Sequence, residues 1–205
     1  MLGIRENKGG VAVADIIFGK VNPSGRLPIS VPQSVGHIPV TYDYKPSGRG
    51  FYHNPGSPEN PGRDYVFSST DPLFSFGYGL SYSKFEYSNL TIENKEIKNE
   101  SPIRLSVTIK NVSKVPGKEV VQVYINDKIS SVTTPVKLLK GFDKIDLKGG
   151  ESKVVSFTIP YEELSLWNSQ MKKVVEPGDF EIMVGSSADD IHLKDVITVL
   201  EDNTI

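Results

Sequence analysis

The sequence has no cysteine among its 205 residues, which excludes disulfide bonds and thiolate metal sites. Histidine is scarce as well: His37, His53 and His192 lie far apart and lack the i, i+4 spacing typical of a metal site. We therefore expect no metal centre. Because cysteine usage is the usual guide to redox compartment, its absence leaves the cellular location open.

The sequence also lacks an excess of one charge and a long hydrophobic run. Lysine and arginine number 23 against 25 acidic residues, so no net field would gather nucleic acid or anionic lipid. The longest apolar run, Val11 to Phe18, is interrupted by Asp15 and is far too short to span a bilayer. Residues 1–10 contain no apolar segment typical of an export signal. We expect neither a nucleic-acid nor a membrane partner.

What remains is an ordinary folding composition, with 38% hydrophobic and 23% charged residues. The length corresponds to one domain plus a partial one, or to two small domains. The first 84 residues and the remainder differ in their hydrophobic pattern.

The amino-terminal part predicts one short helix and much irregular chain. Val13, Ile16 and Ile17 recur at helical spacing before Gly19, a residue suited to a helix carboxyl end. A turn then precedes Leu27 to Val31, where flanking prolines permit at most an edge strand. Residues 33–72 are rich in proline and glycine, and the aromatic residues there need a surface to pack against. We expect residues 1–49 to lean on parts of a larger protein.

From Phe85 onward the hydrophobic period is two, which predicts short strands separated by turn signals such as Val115-Pro116-Gly117. Ile103, Leu105, Val107 and Ile109 form the clearest strand. About seven such strands indicate a mainly β, immunoglobulin-like sandwich, and the lack of a cysteine pair favours the fibronectin III-like variant. The other predicted strands contain residues 85–92, 121–125, 155–159, 180–184 and 197–199, with one more within 135–147.

Candidate catalytic groups are few. Glu162-Glu163 and Asp189-Asp190 are adjacent acid pairs in polar loops, and solvated charge explains them better than glycoside hydrolysis, which usually needs two opposed carboxyls. No buried, aromatic-walled acid is apparent. Residues 79–83 begin like a nucleophile elbow but end in serine rather than glycine and lack the strand-helix context.

Two further features have both a binding and a structural interpretation. The cluster Arg63, Asp64 and Tyr65 has the chemistry to contact sugar hydroxyls, although a salt-bridged loop anchor is the favoured alternative. Trp167 is the single tryptophan, and a core or interface position is favoured over a sugar platform. Glycosylation sequons at Asn89, Asn99 and Asn111 are frequent enough by chance to leave their use open.

Several motifs together resemble the carboxy-terminal part of family 3 glycoside hydrolases, which are β-glucosidase-like enzymes. Residues 9–28, with Asn22-Pro23-Ser24-Gly25-Arg26-Leu27-Pro28, resemble the end of that family's α/β sandwich domain. Residues 72–82 resemble the segment leading into its fibronectin III-like domain, apart from Ser75, where proline is commoner. Segments 117–124, 135–142 and 176–185 resemble the strands of that last domain.

The resemblance implies a division into residues 1–84, the tail of the α/β domain with a long loop, and residues 85–205, the sandwich. In the family the nucleophilic aspartate lies in an amino-terminal barrel and the acid/base glutamate earlier in the α/β domain, so no catalytic residue is carried over. The resemblance further implies a retaining parent enzyme that acts on β-glucosides, needs no cofactor and is periplasmic or secreted. The barrel and the rest of the α/β domain of that enzyme would be the partners of this chain. This chain alone is then expected to be inactive. The alternative is a stand-alone carbohydrate-binding or adhesion module.

Overall fold

A computed structural model describes residues 9–46, 71–98 and 100–201. Arg63, Asp64, Tyr65 and Asn99 lie outside these residues. The helices are α1, Gly9–Ile17, and a single 3-10 turn at Tyr161–Leu164. The strands are β1 Phe85–Ile92, β2 Glu96–Ile97, β3 Ile103–Asn111, β4 Gly117–Asp127, β5 Leu138–Leu147, β6 Ser152–Ile159, β7 Leu166–Trp167, β8 Lys173–Val174, β9 Gly178–Gly185 and β10 Ile191–Val199.

The long strands form two facing sheets. One has the order β1-β3-β6, and the other has the order β2-β10-β9-β4-β5. All pairings are antiparallel except that of the short strand β2 with β10. Strands β7 and β8 form a separate two-stranded hairpin. The seven predicted strands are present at the predicted places, and the mainly β, fibronectin III-like sandwich is confirmed.

The core lies between the sheets and follows the alternation visible in the sequence. Ile103, Leu105, Val107 and Ile109 on β3 are all buried, while Arg104 and Lys110 on the other face are exposed. Apolar residues from both sheets join them in one cluster, which includes Val121, Val123, Val155, Phe157, Phe180, Ile182 and Ile197. Their burial removes apolar surface from water, which is the main favourable term in folding.

Helix α1 forms where it was predicted, and Gly19 has the positive φ of 73° that favours glycine at a helix end. The helix has no buried residue. The Tyr82 hydroxyl, far away in sequence, donates a hydrogen bond of 2.6 Å to the carbonyl of Ile16. No described helix has the length and apolar character needed to cross a bilayer.

Residues 22–46 and 71–84 form what we call the strap, two extended segments laid against the five-stranded sheet. Leu27 exchanges backbone hydrogen bonds with Tyr78 and Gly77, and Val31 does so with Phe74 and Leu73. Only Val31 and Phe74 form a regular bridge, because the intervening chain contains Pro28 and cannot donate at every position. The predicted edge strand is therefore reduced to a single bridge.

The strap corrects one expectation from the sequence. Residues 22–46 were expected to depend on parts outside this chain, yet they contact the sandwich through specific hydrogen bonds. The side chain of Asn22, for example, donates to Ser83 and to the Pro116 carbonyl at 2.9 and 2.8 Å. In α1 and directly after it, by contrast, the apolar residues Val11, Ile17 and Phe18 are exposed.

The core assignment predicts the cost of removing aromatic side chains. Replacing Phe157 or Phe180 by alanine should lower the free energy of unfolding by about 3–5 kcal/mol, because each leaves a cavity in the buried cluster. Phe142→Ala is the matched control: this phenylalanine is 68% exposed, and its loss should cost less than about 0.5 kcal/mol. Denaturant titration measures all three, and equal midpoints for Phe180→Ala and Phe142→Ala would contradict the assignment.

Candidate functional site

Glu119 is an acidic side chain inside the sandwich. It lies on β4 in phase with Val121, Val123 and Ile125, so the pleat directs it to the same inner face. It is only 2% exposed. A carboxylate taken from water at such a position costs several kcal/mol unless a cation and hydrogen-bond donors meet it.

The strap and β1 supply those partners. Arg26 donates from Nη2 to Oε2 of Glu119 at 2.7 Å, and the Tyr87 hydroxyl donates to Oε1 at 2.7 Å. The Arg26 side chain is itself largely buried and also donates to the Gly79 carbonyl at 3.2 Å. The His192 ring stacks on Tyr87 with ring centroids 4.2 Å apart. Four residues from four segments thus form one cluster, which we call the Glu119 cluster.

The electrostatics of the Glu119 cluster follow from burial. Desolvation raises the pKa of Glu119 above its usual value, while the Arg26 guanidinium opposes that shift. Desolvation and the adjacent carboxylate also raise the pKa of Tyr87. The phenol therefore keeps its proton and acts as a donor to Glu119. This arrangement holds a carboxylate in place and leaves neither of its oxygens aimed at open solvent.

The outer face of β4 makes a second contact with the strap. Tyr42 stacks on Phe76 at a centroid distance of 4.2 Å and meets Tyr124 edge-on at 5.9 Å. Gln122 donates to the Gly77 carbonyl at 3.3 Å and accepts from the Tyr124 hydroxyl. Both faces of β4 are consequently in contact with the strap, one through charge and one through aromatic packing.

Two strap glycines permit this close approach. Gly77 has a φ of 81°, and a side-chain carbon there would meet the Gln122 amide at 2.2 Å. A carbon on Gly79 would lie 2.3 Å from the Gly25 carbonyl. The glycines of the Gly77-Tyr78-Gly79 motif are thus explained by backbone conformation and packing against β4 and the first strap segment.

The acid pairs predicted from the sequence are not part of the buried ion pair, although Asp190 lies 3.2 Å from the ring nitrogen Nε2 of His192. Glu162, Glu163, Asp189 and Asp190 are all exposed, as predicted. Ser81, the serine of the near-match to a nucleophile elbow, donates to the Asn22 side chain at 3.0 Å. Within the described ranges no three His, Asp or Glu side chains come together as a metal site would require.

The expectation that no buried, aromatic-walled acid occurs was wrong, because Glu119 is buried beside Tyr87. A partial signal was present, because the inward alternation of Val121, Val123 and Ile125 extends two residues back to Glu119. An acid at such a position breaks the apolar pattern, so the alternation alone does not mark it as buried. Its partner Arg26 belongs to a turn motif that gives no sign of a buried cation.

The structure also places three other residues that the sequence singled out. Trp167 is 60% exposed, so it is not a core residue. The sequon asparagine Asn111 is fully buried, and its amide nitrogen donates to the Val115 and Leu147 carbonyls at 2.8 and 3.2 Å. That amide is inaccessible to glycosylation in the folded chain. His37, expected in a loop or at the surface, lies in the strap but is buried.

Comparison with known families accounts for both parts of the chain. Residues 2–82 match the glycosyl hydrolase family 3 C-terminal domain, and residues 119–188 match the fibronectin type III-like domain. The first match contains Arg26 and the second begins at Glu119. The chain belongs to glycoside hydrolase family 3 and matches its carboxy-terminal part.

Relatives within family 3 agree along nearly the whole chain. A periplasmic beta-glucosidase of Salmonella typhimurium is 46% identical over 178 residues, covering 87% of this chain and 23% of that protein. A beta-xylosidase of Formosa agariphila is 45% identical, with 92% of this chain and 25% of that protein covered. The crystal structure of a Listeria innocua beta-glucosidase with glucose superposes with a TM-score of 0.81 at 40% identity, covering 94% of this chain and 26% of that one. The chain therefore spans about a quarter of the length of these relatives.

The Glu119 cluster predicts a large cost for breaking its ion pair. Arg26→Ala should lower the free energy of unfolding by about 3–5 kcal/mol, because it leaves a buried carboxylate without its cation. The double variant Arg26→Ala/Glu119→Leu removes both charges and should recover most of that loss. Denaturant titration at about pH 7 makes the comparison.

The same variant has a predicted pH dependence. Without Arg26, burial is opposed only by the Tyr87 hydrogen bond and by His192, so the pKa of Glu119 in the folded state stands still further above the unfolded value. A folded state that binds the proton more tightly gains stability as pH falls. The deficit of Arg26→Ala should therefore shrink between about pH 7 and about pH 5, while the double variant shows no such recovery. An equal deficit at both pH values would show that Glu119 is not buried as a charge.

Proposed function

We propose that this chain is the carboxy-terminal portion of a β-glucosidase-like glycoside hydrolase, in which it supports catalytic domains that it does not itself contain. Residues 1–84 would be the tail of the α/β sandwich domain with its long loop, and residues 85–205 the fibronectin III-like sandwich. The remaining partners are the amino-terminal barrel and the rest of the α/β domain. The substrate of the complete enzyme is a β-glucoside or a related β-linked glycoside.

The observation that carries this proposal is the uneven distribution of exposed apolar side chains. In residues 9–46 seven large hydrophobic side chains are more than 45% exposed: Val11, Ile17, Phe18, Val21, Ile29, Val35 and Ile38. A surface of this kind typically marks an interface. Arg26, near the start of the strap, is held against the sandwich through the Glu119 cluster. The sandwich would thereby fix the position of an apolar surface that contacts the other domains.

The acidic groups of this chain fit a supporting role. Hydrolysis with retention needs two carboxyl groups about 5–5.5 Å apart on either side of the glycosidic bond. Glu119 is committed to Arg26 and Tyr87, and the acid pairs at 162–163 and 189–190 are exposed pairs of adjacent residues rather than carboxyls opposed across a cleft. Arg63, Asp64 and Tyr65 remain candidates for contacts with substrate in the complete enzyme.

The first experiment asks whether the chain is active alone. Purified chain incubated with an aryl β-glucoside should release no more phenol than buffer does. Turnover that persists through repurification and scales with chain concentration would overturn the supporting role.

The second experiment restores the missing domains. The chain is fused in place of the matching segment of the Salmonella periplasmic beta-glucosidase, and the relative truncated at the same point serves as the baseline. We expect the truncated protein to be inactive and the hybrid to hydrolyse an aryl β-glucoside. Failure of a folded hybrid to exceed the truncated baseline would favour the stand-alone binding module instead.

The hybrid also tests the exposed apolar surface. Phe18→Ser should lower the stability of the hybrid by about 1.5–3 kcal/mol, because Phe18, 85% exposed in this chain, would be buried there. Val154→Ser is the matched control, since Val154 is 67% exposed on the outer face of β6. Thermal inactivation measures both. Equal effects of the two substitutions would contradict an interface at α1.

A further inference from the structure

A cavity of about 450 Å³ opens beside the carboxyl end of β4, away from the strap contacts with Glu119. This volume lies within the range of roughly 300–1,000 Å³ found for small-molecule sites. Its lining includes the buried side chains Ile125 and Phe180 of the sandwich core. Trp167 also lines it, together with polar residues of the neighbouring loops.

Trp167 is held in an exposed position by ordered backbone. On the β7–β8 hairpin, Leu166 faces inward and is buried, so the adjacent Trp167 faces outward and is 60% exposed. The hairpin turn is tied by Asn168, whose side-chain oxygen accepts from the backbone N–H groups of Gln170 and Lys172 at 3.0 and 3.1 Å. The large ring of Trp167 thus borders a cavity on a structured hairpin.

A β-bulge directs a lysine to the same cavity. The pairing of β4 with β5 passes from Val123↔Gly141 to Tyr124↔Leu139, so Lys140 is the extra residue. Bulges of this kind change the direction of a side chain. The Lys140 ammonium lies 2.9 Å from a carboxylate oxygen of Glu163, and both residues line the cavity. The Lys140 side chain is only 16% exposed.

The charges around the cavity are balanced. Its lining contains two basic residues, Lys45 and Lys140, and two acidic residues, Asp127 and Glu163. A phosphate or other polyanion would meet two carboxylates, and a cation would meet two ammonium groups. A neutral ligand with many hydroxyl groups meets donors and acceptors without a net charge penalty.

A sugar ring combines the two features that the cavity offers. A pyranose with equatorial substituents has a flat face of axial C–H groups, which suits the electron-rich face of an indole. Its hydroxyl groups point outward from the ring edge, where lysine can donate and carboxylates can accept. We propose that this cavity is a carbohydrate-binding subsite, in which Trp167 stacks on a β-linked gluco- or xylopyranosyl unit and Lys140, Glu163 and Asp127 contact its hydroxyls.

This proposal does not rest on the supporting role of the chain, and it requires no hydrolysis. The subsite would hold one end of an oligosaccharide on the sandwich whether or not other domains are present. Activity measurements on the hybrid enzyme therefore leave it untouched, and binding measurements on the isolated chain decide it.

The test uses the fact that Trp167 is the only tryptophan of the chain. Cellobiose and xylobiose are titrated into the purified chain while the indole emission is recorded, with sorbitol as a polyol that has no ring. We expect a saturable change in emission with a Kd of about a millimolar for at least one disaccharide. Sorbitol should produce no saturable change. A linear response to all three, or no response, would overturn the proposal.

Variants then locate the binding by isothermal titration calorimetry. Trp167→Ala should weaken binding at least about tenfold, since a stacked aromatic residue is a common binding hot spot. Lys140→Met should weaken it while leaving indole emission in place. Met171→Asn is the matched control, because Met171 is 76% exposed on the same turn but does not line the cavity. Its φ of 57° also suits asparagine. Unchanged affinity in a folded Trp167→Ala protein would overturn the subsite, as would equal losses in Trp167→Ala and Met171→Asn.

Discussion

A carboxylate buried inside a sandwich needs a cation beside it, and the strap supplies that cation to Glu119 as Arg26. The Arg26 guanidinium, 93 residues away in sequence, donates to Oε2 of Glu119 at 2.7 Å. The Tyr87 hydroxyl donates to the other carboxylate oxygen. Burial makes the position of Arg26 specific, because a displaced strap would leave both charges desolvated and unpaired. A buried charge pair of this kind ties the strap to one position on β4.

The remaining strap contacts extend from that point. The aromatic packing of Tyr42 and Phe76 on Tyr124 covers the outer face of β4, and Asn22 links the strap to the turn before the same strand. The paired segments Leu27–Val31 and Phe74–Tyr78 then lead back toward α1, whose apolar side chains remain exposed. A sandwich that holds the strap in this way fits the supporting role proposed for this chain.

Alternation was enough to predict the sandwich from the sequence, because each core strand buries every second residue. It predicted β3 residue by residue and placed Phe157 and Phe180 inside. It did not predict Glu119, since an acid in an apolar phase gives no signal until its partner is known, and Arg26 lies in a segment without periodicity. The exposure of Trp167 likewise depends on a two-residue strand too short to show a period. Lys140 reaches the cavity beside Trp167 because of a β-bulge between β4 and β5. Such a bulge depends on the pairing register of the two strands, which sequence patterns do not reveal.

Hydrogen exchange on the isolated chain at low concentration tests most directly whether the sandwich holds the strap while α1 depends on something beyond this chain. The amides of Leu27, Val31 and Gly77, which donate to backbone carbonyls within the strap, should be protected nearly as well as those of Leu105 to Ile109 in β3. The amides of residues 13–17 in α1 should exchange far faster, because no residue of that helix is buried. Protection of α1 equal to that of β3 would contradict the account, and so would a strap that exchanges as fast as α1.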